Sequence, residues 1–181
     1  QPPSYFSPYG LPQLPDGPRG EYLTDREGTE AAAFIRGHRE QPFFLQVAFH
    51  SVHTPLQAKP GLVEKYRKKA RKVGGSQTNA VYAAMLESLD AAVGQVLSAL
   101  DSSGLTDHTV VVFTSDNGGI EGGGNPYVGT TKGSPAVTTN APLRGWKNQP
   151  YEGGMRVNAF ASWPGRLPAR NCVAPMHAAA W

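Results

Sequence analysis

The chain has 181 residues, 17 Lys and Arg against 14 Asp and Glu, 39% hydrophobic and 17% charged residues. That is enough for one domain or part of a larger one, and too hydrophobic for a charged disordered tail. No run of about 18 apolar residues is present, which argues against a membrane-spanning segment. The start, Gln1-Pro2-Pro3-Ser4-Tyr5, has no Met, no basic stretch and no apolar stretch, so it is not read as a signal peptide.

The 21 glycines and 16 prolines are scattered, which points to many ordered loops. A single cysteine, Cys172, excludes an internal disulfide framework and a cysteine-rich metal site. The net charge of +3 is uneven: Lys59 to Lys72 holds seven basic residues and one acid. The remainder is therefore acidic, and a general nucleic-acid surface is not expected. The basic run reads as a solvated helix or loop face, with polyanion contact as the alternative.

Residues 1–20 carry no period and read as an irregular segment laid over a surface. Thr24-Asp25-Arg26-Glu27 fits a capping box, predicting a helix from Thr24 to about Arg39 with Ala31, Phe34 and Ile35 on its packed face. Pro42 to Phe49 is a nearly continuous apolar run, the pattern of a strand buried on both faces as in parallel sheets. It ends in polar residues, His50-Ser51-Val52-His53-Thr54-Pro55.

A long helix is predicted from about Thr78 to Ser102. Tyr82, Met85, Leu86, Leu89, Val93, Val96, Leu97 and Leu100 follow its spacing, and Gly104 supplies the stop. Thr109 to Thr114 reads as a second buried strand, followed by Ser115-Asp116-Asn117-Gly118-Gly119. Strand, helix and strand make a crossover unit, so the two strands are expected to be parallel. Both polar tails then lie at the carboxyl edge, where α/β sheets bind ligands. This brings His53 toward Asp116 and Asn117 although 63 positions separate His53 from Asp116. Residues 120–140 read as a long loop beside that edge, and Met155 to Trp163 as a third strand ending at Pro164-Gly165.

Four positions could carry chemistry. Asp116 and Asn117 offer two hard oxygens for Ca²⁺ or Mg²⁺; an Asx turn closing the strand is the alternative. His53 could transfer a proton near neutral pH, or be structural, whereas the nearer His50 reads as a packing residue. Lys147 could pair an anionic substrate, or be solvated. Glu152-Gly153-Gly154-Met155-Arg156 reads as a structural element, either a buried Glu–Arg pair or a turn.

Five phrases in one order carry a family resemblance: Pro42-Phe43-Phe44-Leu45; Ser51-Val52-His53-Thr54-Pro55-Leu56-Gln57; Tyr82 to Asp90; Phe113-Thr114-Ser115-Asp116-Asn117-Gly118-Gly119; and Ala141-Pro142-Leu143-Arg144-Gly145 through Glu152-Gly153-Gly154-Met155-Arg156-Val157. The series resembles the type I, formylglycine-dependent sulfatases, especially bacterial arylsulfatase-like enzymes, over roughly residues 20–181. The resemblance implies an alkaline-phosphatase-like α/β fold, mainly a parallel sheet with flanking helices. It implies that Asp116 and Asn117 are half of a Ca²⁺ site. It further implies that His53 contacts the sulfate ester and protonates the leaving oxygen, and that Lys147 lies near the sulfate. The partners would be a sulfated small molecule or a sulfated glycan. The family is exported, to periplasm, exterior or lysosome.

The departures matter equally. Cys172 is followed by Val173-Ala174-Pro175-Met176, which does not fit the family's Cys/Ser-x-Pro/Ala-x-Arg nucleophile motif. The family's N-terminal Asp-Asp metal pair and its Gly-Lys-x-His segment are also absent. Ala180 stands where the family usually has Asp, and Asn158 where Pro usually follows Arg-Val. The expectation is a central piece of a sulfatase catalytic domain, inactive alone, with Ser51 or Thr114 as the first nucleophiles to test if it were active. The alternatives are a phosphate or phosphonate ester hydrolase of the same superfamily, and a non-catalytic domain binding sulfated glycans through the basic run.

Overall fold

Three helices make the layer on which everything else rests. The computed structural model describes residues 2–74, 77–121 and 136–170. Helix α1 spans Leu23–Gly37, α2 Pro60–Val73 and α3 Ala80–Ser102. A 3-10 turn, Thr106–His108, leads into strand β1, Val111–Thr114; a short helix α4, Glu152–Met155, precedes strand β2, Ala159–Ser162.

α3 starts and stops as its sequence dictates. The Asn79 side chain accepts from the N–H groups of Val81 and Tyr82, satisfying two orphan donors. At the other end Gly104 takes φ +69°. Its N–H donates to Asp101 O (3.0 Å), and that of Leu105 to Leu100 O (2.9 Å), a Schellman closure. By length and composition alone α3 could cross a membrane. Here it is the central helix, packed against both α1 and α2.

The seam between α1 and α3 is narrower than the predicted faces. α3 buries Ala84, Met85, Ser88, Ala92, Ala99 and Leu100, while Leu86 and Leu97 of its predicted stripe are exposed. A Cβ on Gly28 would sit 2.9 Å from that of Ala92, so small residues set the helix spacing. Gly28 facing Ala92, and Ile35 packing with Ala99 and Leu100, show that the two helices run parallel.

α1 does not use the predicted capping box. Its N-cap is Tyr22, without a side-chain cap bond. Thr24 and Glu27 lie inside the helix and reach instead to Ser51 and His50, so long-range partners take the groups that would have capped. The first twenty residues are irregular as expected, yet Tyr5 and Tyr9 are fully buried, Tyr5 and Tyr9 joining Tyr22, Leu23 and Met85 in one cluster. An antiparallel bridge between Phe6 and Tyr22 ties the segment to the start of α1.

The strand expectations are corrected in part. β1 and β2 exist, paired antiparallel with Val111 opposite Ser162 and Thr114 opposite Ala159. Residues 42–49 form no regular element and belong to no ladder among the described residues, so the predicted parallel pairing with 109–114 is not formed here. Nor are these runs buried on both faces. Phe43 and Leu45 pack on Ile35, Ala99 and Leu100, whereas Phe44 is 88% exposed. Val112, Phe113 and Phe160 are likewise exposed. The helices cover one face only, and nothing among the described residues covers the other.

The direction of the chain nevertheless matches a crossover arrangement. Phe43, Leu45 and Val111 all start at the C-terminal ends of α1 and α3. Val52 and Leu56 pack near the helix N-termini, against the cluster of Leu23 and Met85. Residues 43–56 thus run opposite to both helices, as strands do in α/β layers.

Candidate functional site

Two loops converge on the N-terminal end of the α1–α3 pair. The first is the turn 50–53, closed by the His53 N–H donating to His50 O (2.9 Å). It is held from three sides. The Tyr5 hydroxyl reaches His50 O (2.5 Å) and His53 O (3.0 Å). Thr24 and Ser51 share a hydroxyl hydrogen bond of 2.5 Å. Glu27 Oε1 accepts from His50 Nδ1 (2.6 Å) and from the His50 N–H (3.3 Å).

These groups are buried enough for their ionisation to shift. Burial pushes the Tyr5 phenol well above its ordinary value, and Tyr22 up to about 12. Burial also raises Glu27, partly offset by its bonds to His50. Glu27 Oε2 is buried and has no hydrogen-bond partner among the described residues. His50 is thus the paired, half-buried histidine, and His53 is the exposed one. The His53 Nδ1 lies 3.1 Å from Thr54 O and 3.2 Å from Thr54 Oγ1. With Nδ1–H on the Thr54 carbonyl, Nε2 would be the ring nitrogen left to face a substrate.

The second loop follows β1. Its backbone is interlocked with the α4 region through glycines. The Gly118 N–H donates to Gly154 O (2.9 Å), and the Gly153 N–H to Arg144 O (2.8 Å). A Cβ on Gly118 would fall 1.8 Å from Gly153 O, and one on Gly153 would fall 2.0 Å from Gly145 O. Only glycine permits this approach. The Asn140 side chain clasps Gly119 at both ends, accepting from its N–H (3.0 Å) and donating to its carbonyl (2.8 Å). The same Gly119 carbonyl accepts from the Lys147 N–H (3.1 Å). The Lys147 backbone is thereby tied to Gly119, three positions after Asp116.

Gln77 anchors this loop to the helix layer. It donates to Thr139 O (2.8 Å) and accepts from Thr138 Oγ1 (2.9 Å), two positions before the α3 N-cap. The loop of Asp116, Asn117 and Lys147 and the turn of His53 thus occupy the same end of the layer. No hydrogen bond joins them among the described residues.

Asp116 is exposed and its carboxylate makes no hydrogen bond or ion pair among the described residues. Asn117 is half-buried, and its Nδ2 donates to Gly118 O (2.9 Å), which leaves Oδ1 as its outward acceptor. The expected Asx turn is not formed: among the described residues no side-chain oxygen of Asp116 or Asn117 accepts a backbone N–H, and both remain free for other partners. No group of three or more His, Cys, Asp or Glu gathers among the described residues, so the two oxygens alone fall short of the 6–8 that Ca²⁺ takes. Lys147 forms no ion pair among the described residues.

Glu152 and Arg156 lie 3.9 Å apart and are 68% exposed each, so the buried-pair expectation is wrong and the turn expectation right. In the basic run, Lys59 pairs with Asp25, Lys65 with Glu87 and Lys68 with Glu64 along α2, the solvated helix face expected. Cys172, Ala180 and most of the 120–140 loop lie outside the described residues. Sequence reasoning missed Tyr5, Glu27, Gln77 and Asn140. Their partners are tens of residues away in the chain, and no local pattern marks them.

A family model described as Sulfatase matches residues 2–179. A Formosa agariphila protein named Sulfatase is 36% identical over 155 residues, covering 80% of this chain and 25% of that protein. Mouse steryl-sulfatase is 36% identical over 152 residues, covering 84% of the chain and 22% of its own length. Among solved structures, Ps i-CgsB superposes with a TM-score of 0.68 at 30% identity, over 89% of this chain and 33% of that one. The same protein has been crystallised with k-i-k-neocarrahexaose. The chain thus spans about a quarter of the curated relatives it matches and about a third of that structure.

Proposed function

Because the chain belongs to the sulfatase family, with its alkaline-phosphatase-like α/β fold, we propose that it is the central part of a catalytic domain that hydrolyses sulfate esters. One observation supports this reading: in the glycine-locked loop Gly119, just after Asp116 and Asn117, accepts the Lys147 N–H at the end of the helix layer where the turn of His53 also lies.

In this reading Asp116 and Asn117 would give Ca²⁺ a carboxylate and an amide oxygen, and other residues of the whole enzyme would complete its sphere. When bound, Ca²⁺ supplies positive charge to the sulfate oxygens. The nucleophile, a formylglycine in this family, also belongs outside these residues. The bond that breaks joins sulfur to the ester oxygen. As the incoming oxygen nucleophile bonds to sulfur, that ester oxygen leaves with the electron pair and takes the Nε2 proton of a His53 imidazolium, which is left neutral with Nδ1–H on the Thr54 carbonyl. The Lys147 ammonium balances negative charge on the sulfate and the leaving oxygen. The pair of hard oxygens favours this over phosphoester hydrolysis on transition metals, which prefer imidazole-rich sites. The substrate is a sulfated small molecule or a sulfated carbohydrate, and the enzyme acts after export.

The test is His53→Ala in the intact enzyme. Turnover should fall by about 10²–10⁴, and by less for esters whose leaving group has a low pKa. Equal losses for good and poor leaving groups would remove His53 from the proton-transfer role.

A further inference from the structure

Tyr5 comes from the segment that carries no pattern, yet its ring is fully buried and its hydroxyl meets a turn 45 and 48 positions away. A single phenol O–H faces the carbonyls of both His50 and His53, the two ends of the turn. Its own backbone N–H is fixed by Gln57 Oε1 (2.8 Å), beyond the other side of His53. The turn is thus pinned at its ends by Tyr5, at Ser51 by Thr24, and at His50 by Glu27. The His53 ring, by contrast, hydrogen-bonds among the described residues only to its neighbour Thr54, so its aim follows the backbone beneath it.

We infer that Tyr5 is a positioning residue for His53: its hydroxyl, bound to the His50 and His53 carbonyls, fixes the turn that presents the imidazole. Glu27 supports the same turn through the His50 ring and N–H. This rests on the reading of His53 as proton donor. Without the hydroxyl, two carbonyls beside a buried ring lose their shared donor, and the turn relaxes toward other partners. A small displacement of a proton donor is costly, since proton transfer needs hydrogen-bond reach to the leaving oxygen.

The experiment is a double-mutant cycle in the intact enzyme, using Tyr5→Phe and His53→Ala with aryl sulfates of high and low leaving-group pKa. Tyr5→Phe keeps the ring in its pocket. It should lower kcat about tenfold for the poor leaving group, leave KM near the parent value, and matter less for the good one. In the His53→Ala background it should cost nothing further, because the residue acts through His53. Glu27→Gln, which keeps the shape and an acceptor oxygen, should lie between parent and Tyr5→Phe in the same assay. Two results would overturn the inference. If His53→Ala depends steeply on the leaving group but Tyr5→Phe costs the same in both backgrounds, Tyr5 merely stabilises the fold. If His53→Ala shows no leaving-group dependence, the proton-donor reading fails and the inference fails with it.

Discussion

Replacing Gly118 by Ala perturbs the centre of the proposed site without touching a polar group. The added Cβ would lie 1.8 Å from Gly153 O, 2.8 Å from Gly153 C and 3.2 Å from Gly154 Cα. Non-bonded carbon contacts are most favourable at about 3.5–4.0 Å, so the two strands of backbone must part by more than ~1 Å. That separation breaks the Gly118–Gly154 hydrogen bond and strains the clasp of Asn140 on Gly119. Overpacking costs about 1–3 kcal/mol and the lost bond about 1 kcal/mol more. Asp116 and Asn117 precede the displaced glycine, and Lys147 is bonded to the one that follows it. A 1 Å misplacement at a reacting centre can cost about 10²-fold. The assay is kcat/KM on an aryl sulfate together with Ca²⁺ affinity and the thermal midpoint of the intact enzyme. Gly94→Ala serves as control, because beyond its own helix no described atom lies within 4 Å of the added Cβ; it should keep activity and gain up to about 1 kcal/mol. A Gly118→Ala enzyme with parental activity, Ca²⁺ affinity and midpoint would refute the interlocked-loop account.

Other outcomes follow from burial. Tyr22 has its phenol raised to about 12 from an ordinary 10.0, and Tyr5 and Tyr9 are raised further, all chiefly by burial. The folded state holds these protons more tightly than the unfolded chain, so their stabilisation is complete below pH 10 and lost as pH rises above it. Each phenol should cost ~1.4 kcal/mol per pH unit in that range, read as a falling denaturation midpoint together with late phenolate absorbance. A midpoint flat across pH 10 to 12 would contradict their burial. Residues 1–181 expressed alone should aggregate or bind an apolar dye, because Phe44, Met155 and Phe160 are 88%, 66% and 63% exposed. They should also show no turnover of an aryl sulfate. A monomer with a sharp thermal transition and measurable activity would contradict the reading of this chain as the central part of a larger catalytic domain.

Much of this was legible because it is local. The α3 stop at Gly104, the β-branched run of β1 and the polar residues after it each follow from a few neighbouring positions. Asp116 and Asn117 were singled out because polar chemistry at a strand end stands out against an apolar run, and Lys147 through the family resemblance. Long-range features were not legible. Thr24 and Glu27 have the spacing of a capping box, yet they serve residues 27 and 23 positions away. The α1–α3 seam runs through Gly28, Ala92 and Ala99 rather than the larger side chains that the period emphasised. Residues 42–49 do have the composition of a strand covered on both faces, but the described residues cover only one.

The most direct measurement compares nitrophenyl sulfate with nitrophenyl phosphate on the intact enzyme, with and without Ca²⁺, for the parent and for Asp116→Ala. The account predicts a higher kcat/KM for the sulfate, loss of that activity when Ca²⁺ is removed, and no recovery by Asp116→Ala when it is restored. A preference for the phosphate, or sulfate hydrolysis that survives both Ca²⁺ removal and Asp116→Ala, would contradict it.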